Sequence, residues 1–148
     1  MAISNDSEFK AALNGLSAAQ QRQVAARFVE NVLPLCKDIR VSGAVTAARR
    51  RDITDAELAA LFQAAKSASV ESFTQCGKEA DWLAQAGHFV AEAAMACVKP
   101  ADAADNLAWD AGMSARMART CETIAAGAGT GNREAEAQYR LLTEFLNQ

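Results

Sequence analysis

Apolar side chains return at three- and four-residue steps along most of this chain, and no stretch alternates apolar and polar in twos. That periodicity predicts helices and no strands. A short opening helix is expected over about Ser7–Leu13, closed by Gly15. Ser17 followed by Gln20 reads as a capping box, in which the serine oxygen takes an orphan backbone N–H and the glutamine reaches back. The stripe Val24, Phe28, Val32, Leu35, Ile39 carries the next helix to about Ile39, with Pro34 kinking it. Ser42 and Gly43 are expected to break the chain before a short helix over Ala44–Arg51.

Thr54 and Glu57 form a second capping box. The helix they open keeps Leu58, Leu61, Phe62, Ala65, Ser69 and Phe73 in register, with Gly77 as its break. From Lys78 one stripe holds Leu83, Gly87, Val90, Ala94 and Cys97, and another holds Trp82, Ala86, Phe89 and Ala93. Two apolar faces predict a central helix with neighbours on both sides. Pro100 ends it. Ala101–Ala126 are expected to form the next helix, with Ala104, Leu107, Ala108, Ala111, Ala115 and Ala118 inward and Trp109, Met113 and Met117 beside them. Gly127, Gly129 and Gly131 make a link, and Asn132 caps a last helix bearing Tyr139, Leu142, Phe145 and Leu146. The expectation is an all-α, single-domain bundle of five to seven helices over residues 1–148.

Alanine makes up close to a quarter of the chain, so the helices should approach closely around a few large anchors. With 148 residues and 51% hydrophobic content, the chain can build its own core without metals or disulfides. The net charge of −3 argues against nucleic acid as a partner. The one basic run, Arg49–Arg51, is followed at once by Asp52 and Asp55 and reads as a solvated helix end. The first ten residues lack the apolar core of a signal peptide, and no apolar run reaches the roughly 18 residues that span a bilayer. Both point to a cytoplasmic protein with no membrane contact. Cys36, Cys76, Cys97 and Cys121 show no metal-knuckle spacing and read as free thiols among apolar neighbours.

Candidate chemistry is sparse. His88 is the only histidine, so no usual metal-ligand set is available, and no metal or cofactor is expected. It could act as base to Cys76, Cys97 or Cys121, or it could be satisfied by hydrogen bonds at a helix interface, with Glu92 one turn on. The carboxylate pairs Glu79/Asp81, Asp102/Asp105 and Glu134/Glu136 read as solvated charge. Arg116 and Arg119 stand beside Trp109, Met113 and Met117, a mixture enriched at interfaces.

Three segments resemble a known family. Arg27-Phe28-Val29-Glu30-Asn31-Val32-Leu33-Pro34-Leu35, Ala86-Gly87-His88, and the closing Glu134, Glu136, Gln138, Leu141, Leu142 and Leu146 are similar to the fifth type of immunity protein of bacterial polymorphic toxin systems. Family members often carry further histidines after Ala-Gly-His, where this chain has Ala94-Met95. The resemblance implies an all-helical cytosolic protein that neutralises a toxin domain by binding it, without catalysis.

The expected function is therefore a protein-binding module of that kind, with Trp82, His88, Trp109, Met113 and Arg116 on its functional face. The alternatives are a small-molecule binder or enzyme with a pocket at His88 and a nearby thiol, and a homodimer formed through an Ala-rich face.

Overall fold

The computed structural model describes residues 2–75, 81–100 and 106–148. Among them are seven α-helices and no strand: α1 (Asp6–Asn14), α2 (Ala18–Val32), α3 (Ile39–Ala48), α4 (Asp55–Gln75), α5 (Trp82–Val98), α6 (Leu107–Ala125) and α7 (Glu134–Leu146). The architecture is an all-α bundle. No helix is long and apolar enough to cross a membrane among the described residues.

Local chemistry sets most boundaries. Asn5 accepts from the Glu8 N–H at the start of α1. The Ser17/Gln20 capping box opens α2 with both of its bonds made. At α4 the Thr54 hydroxyl accepts from the Glu57 N–H at 3.1 Å, and the Glu57 carboxylate accepts from the Thr54 N–H at 3.3 Å. Asp81 and Asn106 cap α5 and α6 in the same way. Helix α6 ends in a Schellman motif, with Ala128 N–H donating to Thr123 O and Gly127 N–H to Ile124 O. Gly127 and Gly129 take φ of 75° and 76°, the left-handed region that glycine enters without penalty. Asn132 accepts from the Glu134 N–H at 3.1 Å, one residue outside the cap position of α7, which Arg133 holds.

Three expectations are corrected. Pro34 does not kink a helix running to Ile39. Helix α2 stops at Val32, Leu33–Leu35 form one 3₁₀ turn with the proline near its start, and Asp38 caps a new helix. Ile39 keeps the apolar period but opens α3 and is 83% exposed. Ser42 and Gly43 do not break the chain. They lie inside α3, where the Ser42 hydroxyl donates to Ile39 O and a side chain at Gly43 would meet open space. The glycine costs about 1 kcal/mol relative to alanine, which does not stop a helix that is capped and packed. The Gly77 break, and the stretch 101–105 expected to begin α6, lie outside the described residues.

Contacts between helices fix the topology. The Cys97 thiol donates to Arg22 O, and Gly87 lies against Leu35, so α5 runs opposite to α2. Gly112 lies against Phe28, and Arg119 donates to Asn31 O, so α6 runs with α2. Helices α5 and α6 are therefore antiparallel. Helix α5 packs on α2, α3, α4 and α6, as its two apolar faces predict. Ala86, Val90, Ala93, Ala94 and Cys97 of α5, and Ala108, Ala111, Ala115 and Ala118 of α6, are fully buried. Phe9, Leu13, Phe28 and Leu142 supply the large anchors, all fully buried.

Arginines close the gaps between elements. Arg22 donates to Ala48 O and Arg50 O, occupying the carbonyl end of α3. Arg119 bridges three helices. It donates to Asn31 O, to Glu122 and, through Nε at 2.9 Å, to Glu134, which also accepts from Asn31 Nδ2 at 2.7 Å. Glu134 is 3% exposed, so it is a buried, bonded carboxylate and not the solvated charge its sequence context suggests. Removing it takes away the buried acceptor of Arg119 Nε and Asn31 Nδ2, while Arg119 keeps Glu122 and Asn31 O. Glu134→Ala should lower unfolding free energy by about 3 kcal/mol, the low end for breaking a buried pair because Arg119 keeps some solvent. Urea denaturation checks this. A loss within the roughly 0.5 kcal/mol scatter of surface changes would contradict the assignment.

Candidate functional site

The five residues expected on one face fall into two groups. Trp82 and His88 lie in the first half of α5, at the end where α4 finishes and α3 begins. Trp109 begins α6 at the opposite end, with Met113 and Arg116 following along that helix. Antiparallel packing of α5 and α6 separates the groups.

Arg116 is held inside the molecule. Its Nη1 and Nη2 form a bidentate pair with Asp6 at 3.0 and 2.9 Å, and its Nε donates to Gln138 Oε1 at 2.9 Å. Fully buried Gln138 in turn donates to Gly112 O at 2.9 Å. The guanidinium lies over the Phe9 and Tyr139 rings, and Tyr139 donates to Asp6 at 2.7 Å. This cluster joins α1, α6 and α7. Trp109 packs on Phe9, with the Lys10 ammonium 4.9 Å from its ring centroid. Met113 is partly buried against the core, and Met117 is exposed. Arg116 is therefore a brace between helices, a role that only its distant partners reveal.

Hydrogen bonds from Arg116 hold the Asp6 carboxyl below its usual value, against the opposing effect of burial and with help from Tyr139. A carboxylate with a lowered folded pKa stabilises the protein above its unfolded value of about 3.9. That contribution disappears as pH falls through the lower folded value. Asp6→Asn should therefore reduce the urea midpoint at neutral pH, and the gap from the wild type should narrow below about pH 4. A pH-independent gap would sever the link between this pair and acid stability.

The bundle's other end holds a cleft of about 280 Å³. Its walls come from three places: Leu35–Asp38 before α3, Ala68, Glu71 and Ser72 of α4, and Leu83, Ala84, Gly87, His88 and Ala91 of α5. Asp38 caps α3, and its carboxylate also takes Arg40, which reaches across to Glu71 at 2.6 Å. Arg40 thus fastens the start of α3 to α4. Gly87 permits the close approach on the far wall, since a Cβ there would lie 3.2 Å from Leu35 O. The Leu-Pro-Leu turn and the Ala-Gly-His stretch, two of the segments that carry the family resemblance, meet at this point.

His88 is 9% exposed and engaged through both ring nitrogens. Nδ1 lies 3.0 Å from Ser69 O and 2.9 Å from Ser72 Oγ, and Nε2 lies 3.2 Å from Glu92 Oε1. The ring also packs between Phe73 and Phe89. This is the hydrogen-bonded interface histidine, one of the two readings open from sequence, and it leaves no ring nitrogen turned to a thiol. Cys97 is wholly buried, its thiol pushed up to about 12 by desolvation. Cys121 is buried too, and Cys76 lies outside the described residues, as do Glu79, Asp102 and Asp105. The thiol that does reach the cleft is Cys36, which no sequence signal marks. Burial pushes it up, against a backbone hydrogen bond from Asp38. No cluster of three or more His, Cys, Asp or Glu placed to hold a metal occurs among the described residues.

Among the described residues, five of the seven exposed large apolar side chains belong to this end: Ile39, Val70, Phe73, Trp82 and Leu83. The fold and site define an all-α bundle with a small cleft and an apolar surface at one end. Compared with known proteins, the chain matches no family model, no curated protein and no solved structure.

The wall at Gly87 is tested by filling it. Gly87→Val forces methyl groups against the Leu35 carbonyl and should destabilise by about 1–3 kcal/mol, the range for overpacking. A variant as stable as the wild type in thermal melts would mean that α5 and the 3₁₀ turn separate freely.

Proposed function

We propose that this protein is a protein-binding module that engages its partner with the apolar end of the bundle, where α3 begins, α4 finishes and α5 begins. One observation carries the reading: Ile39 at 83%, Phe73 at 69% and Leu83 at 59% exposure stand at the same end. Single exposed apolar residues are ordinary, but grouped ones rimmed by charge mark interaction surfaces. Asp38, Arg40 and Glu71 supply that rim. The net charge of −3 suits a cationic partner, because complementary charge speeds encounter. The family resemblance adds the partner's kind, a toxin domain neutralised by being bound, and makes this an immunity-type protein. In this reading Trp82 flanks the binding surface, while Trp109, Met113 and Arg116 hold the opposite side of the fold together.

The test joins co-purification from the native host to binding by purified components. The wild type should retain one stoichiometric cationic protein, and that protein, purified, should rebind. Ile39→Glu with Phe73→Glu should weaken rebinding at least about a hundredfold, in line with losing interface hot spots, while helical circular dichroism is kept. Ile39 opens α3, where a glutamate favours the helix, so the double variant should fold. Undiminished rebinding would overturn the assignment of the surface. A wild-type protein that retains no partner would overturn the binding-module reading.

A further inference from the structure

We propose that the cleft is a binding site for a small zwitterion with an apolar side chain, the chemistry of a free apolar α-amino acid. The room exists because the walls lack side-chain bulk. Ala68 faces it from α4, and Ala84, Gly87 and Ala91 face it from α5. Its volume of about 280 Å³ falls just below the roughly 300–1,000 Å³ of clefts that hold drug-sized ligands, which limits the occupant to something smaller.

Charge narrows the class. Asp38 and Glu71 share the single guanidinium of Arg40, so that group carries one net negative charge. Lys37, also in the wall, has no carboxylate partner among the described residues and supplies one positive charge. The wall is thus neutral in sum and divided in sign. A simple cation would meet Lys37, a simple anion would meet the carboxylates, and a neutral apolar molecule would leave both unanswered. A zwitterion answers both, with its ammonium on Asp38 and Glu71, its carboxylate on Lys37 and its side chain against Leu83 and the alanines. His88 is already satisfied and serves as wall. This site shares Asp38, Glu71 and Leu83 with the proposed protein-binding surface, but that surface's test residues Ile39 and Phe73 do not line the cleft, so the two tests fail separately.

The experiment is titration calorimetry on the full chain with L-leucine and L-phenylalanine. 4-Methylpentanoate, which lacks the ammonium, and leucine methyl ester, which lacks the carboxylate, serve as comparisons. At least one amino acid should bind, and each comparison molecule should bind about tenfold more weakly than leucine, the scale of one charged hydrogen bond. Lys37→Gln should reduce leucine affinity by a similar factor and should not weaken the methyl ester. Ala84→Leu, a good helix former that fills the cleft, should abolish binding while the circular dichroism stays helical. The proposal fails if neither amino acid binds at millimolar concentration, if binding survives Ala84→Leu, or if 4-methylpentanoate binds as tightly as leucine.

Discussion

Everything in this bundle is arranged around the close approach of α5 and α6. Most of the buried positions on these two helices are alanines, Ala86, Ala91, Ala93 and Ala94 on α5 and Ala108, Ala111, Ala115 and Ala118 on α6, so little side-chain bulk holds them apart. Small residues at such contacts bring helix axes near the lower end of the usual 8–10 Å spacing. The other helices then pack on this pair. Helices α3 and α4 lie against α5, α7 packs on α6, and α2 reaches both. The seam has an energetic consequence. A buried methyl group contributes on the order of 0.8 kcal/mol, against about 1.5–3 kcal/mol for a buried valine, leucine or phenylalanine. An alanine core gains much of its stability from the few large anchors between helices, chiefly Phe9, Phe28, Leu13 and Leu142.

An alanine surface also specifies little, since one alanine stripe fits another in several registers. The polar bridges resolve that ambiguity. Arg116 ties Asp6 of α1 to Gln138 of α7, and Arg119 ties Asn31 of α2 to Glu134 of α7. Each demands one alignment, because a slipped register would strand a buried polar group at a cost of about 1–3 kcal/mol. The two arginines are one turn apart on α6, so together they fix how α7 lies across α6. No buried side-chain polar atom lacks a partner among the described residues, the condition under which such bridges specify a fold without weakening it.

What could be read from sequence was what is local. The Ser17/Gln20 and Thr54/Glu57 boxes, the helical period and the glycine link all depend on residues within a few positions of one another, and the structure has them. The end of α2 departs from the helical period because Leu35 and Ile39 continue the apolar pattern although Pro34 and Asp38 divide the chain between them. Periodicity counts residue types and is blind to Ile39 facing water. Arg116 looked like part of an exposed face because its partner Asp6 lies 110 residues away. Glu134 looked solvated for the same reason, its cation being contributed by a different helix. Cys36 went unmarked, since only folding brings Leu35–Asp38 against Gly87 and Ser72.

The cleft and the seam have one origin. Helix α5 carries small residues on more than one side: Ala86 and Ala93 belong to one face, and Ala84, Gly87 and Ala91 belong to the face toward α4. Where a helix of matching small residues lies opposite, the absence of bulk becomes close packing. At the Leu35–Asp38 turn Gly87 allows a close approach to Leu35, and the Asp38–Arg40–Glu71 bridge spans from α3 to α4 beside the space that remains. A void between helices is costly when it is dry and closed, because its lining loses dispersion contacts. One that opens to solvent and is walled by Lys37, Asp38, Glu71 and Ser72 offers polar partners to water, which offsets the lost packing. The alanine-rich composition that makes the core thin therefore also leaves room for the cleft, at the end of the bundle that carries Ile39, Phe73 and Leu83.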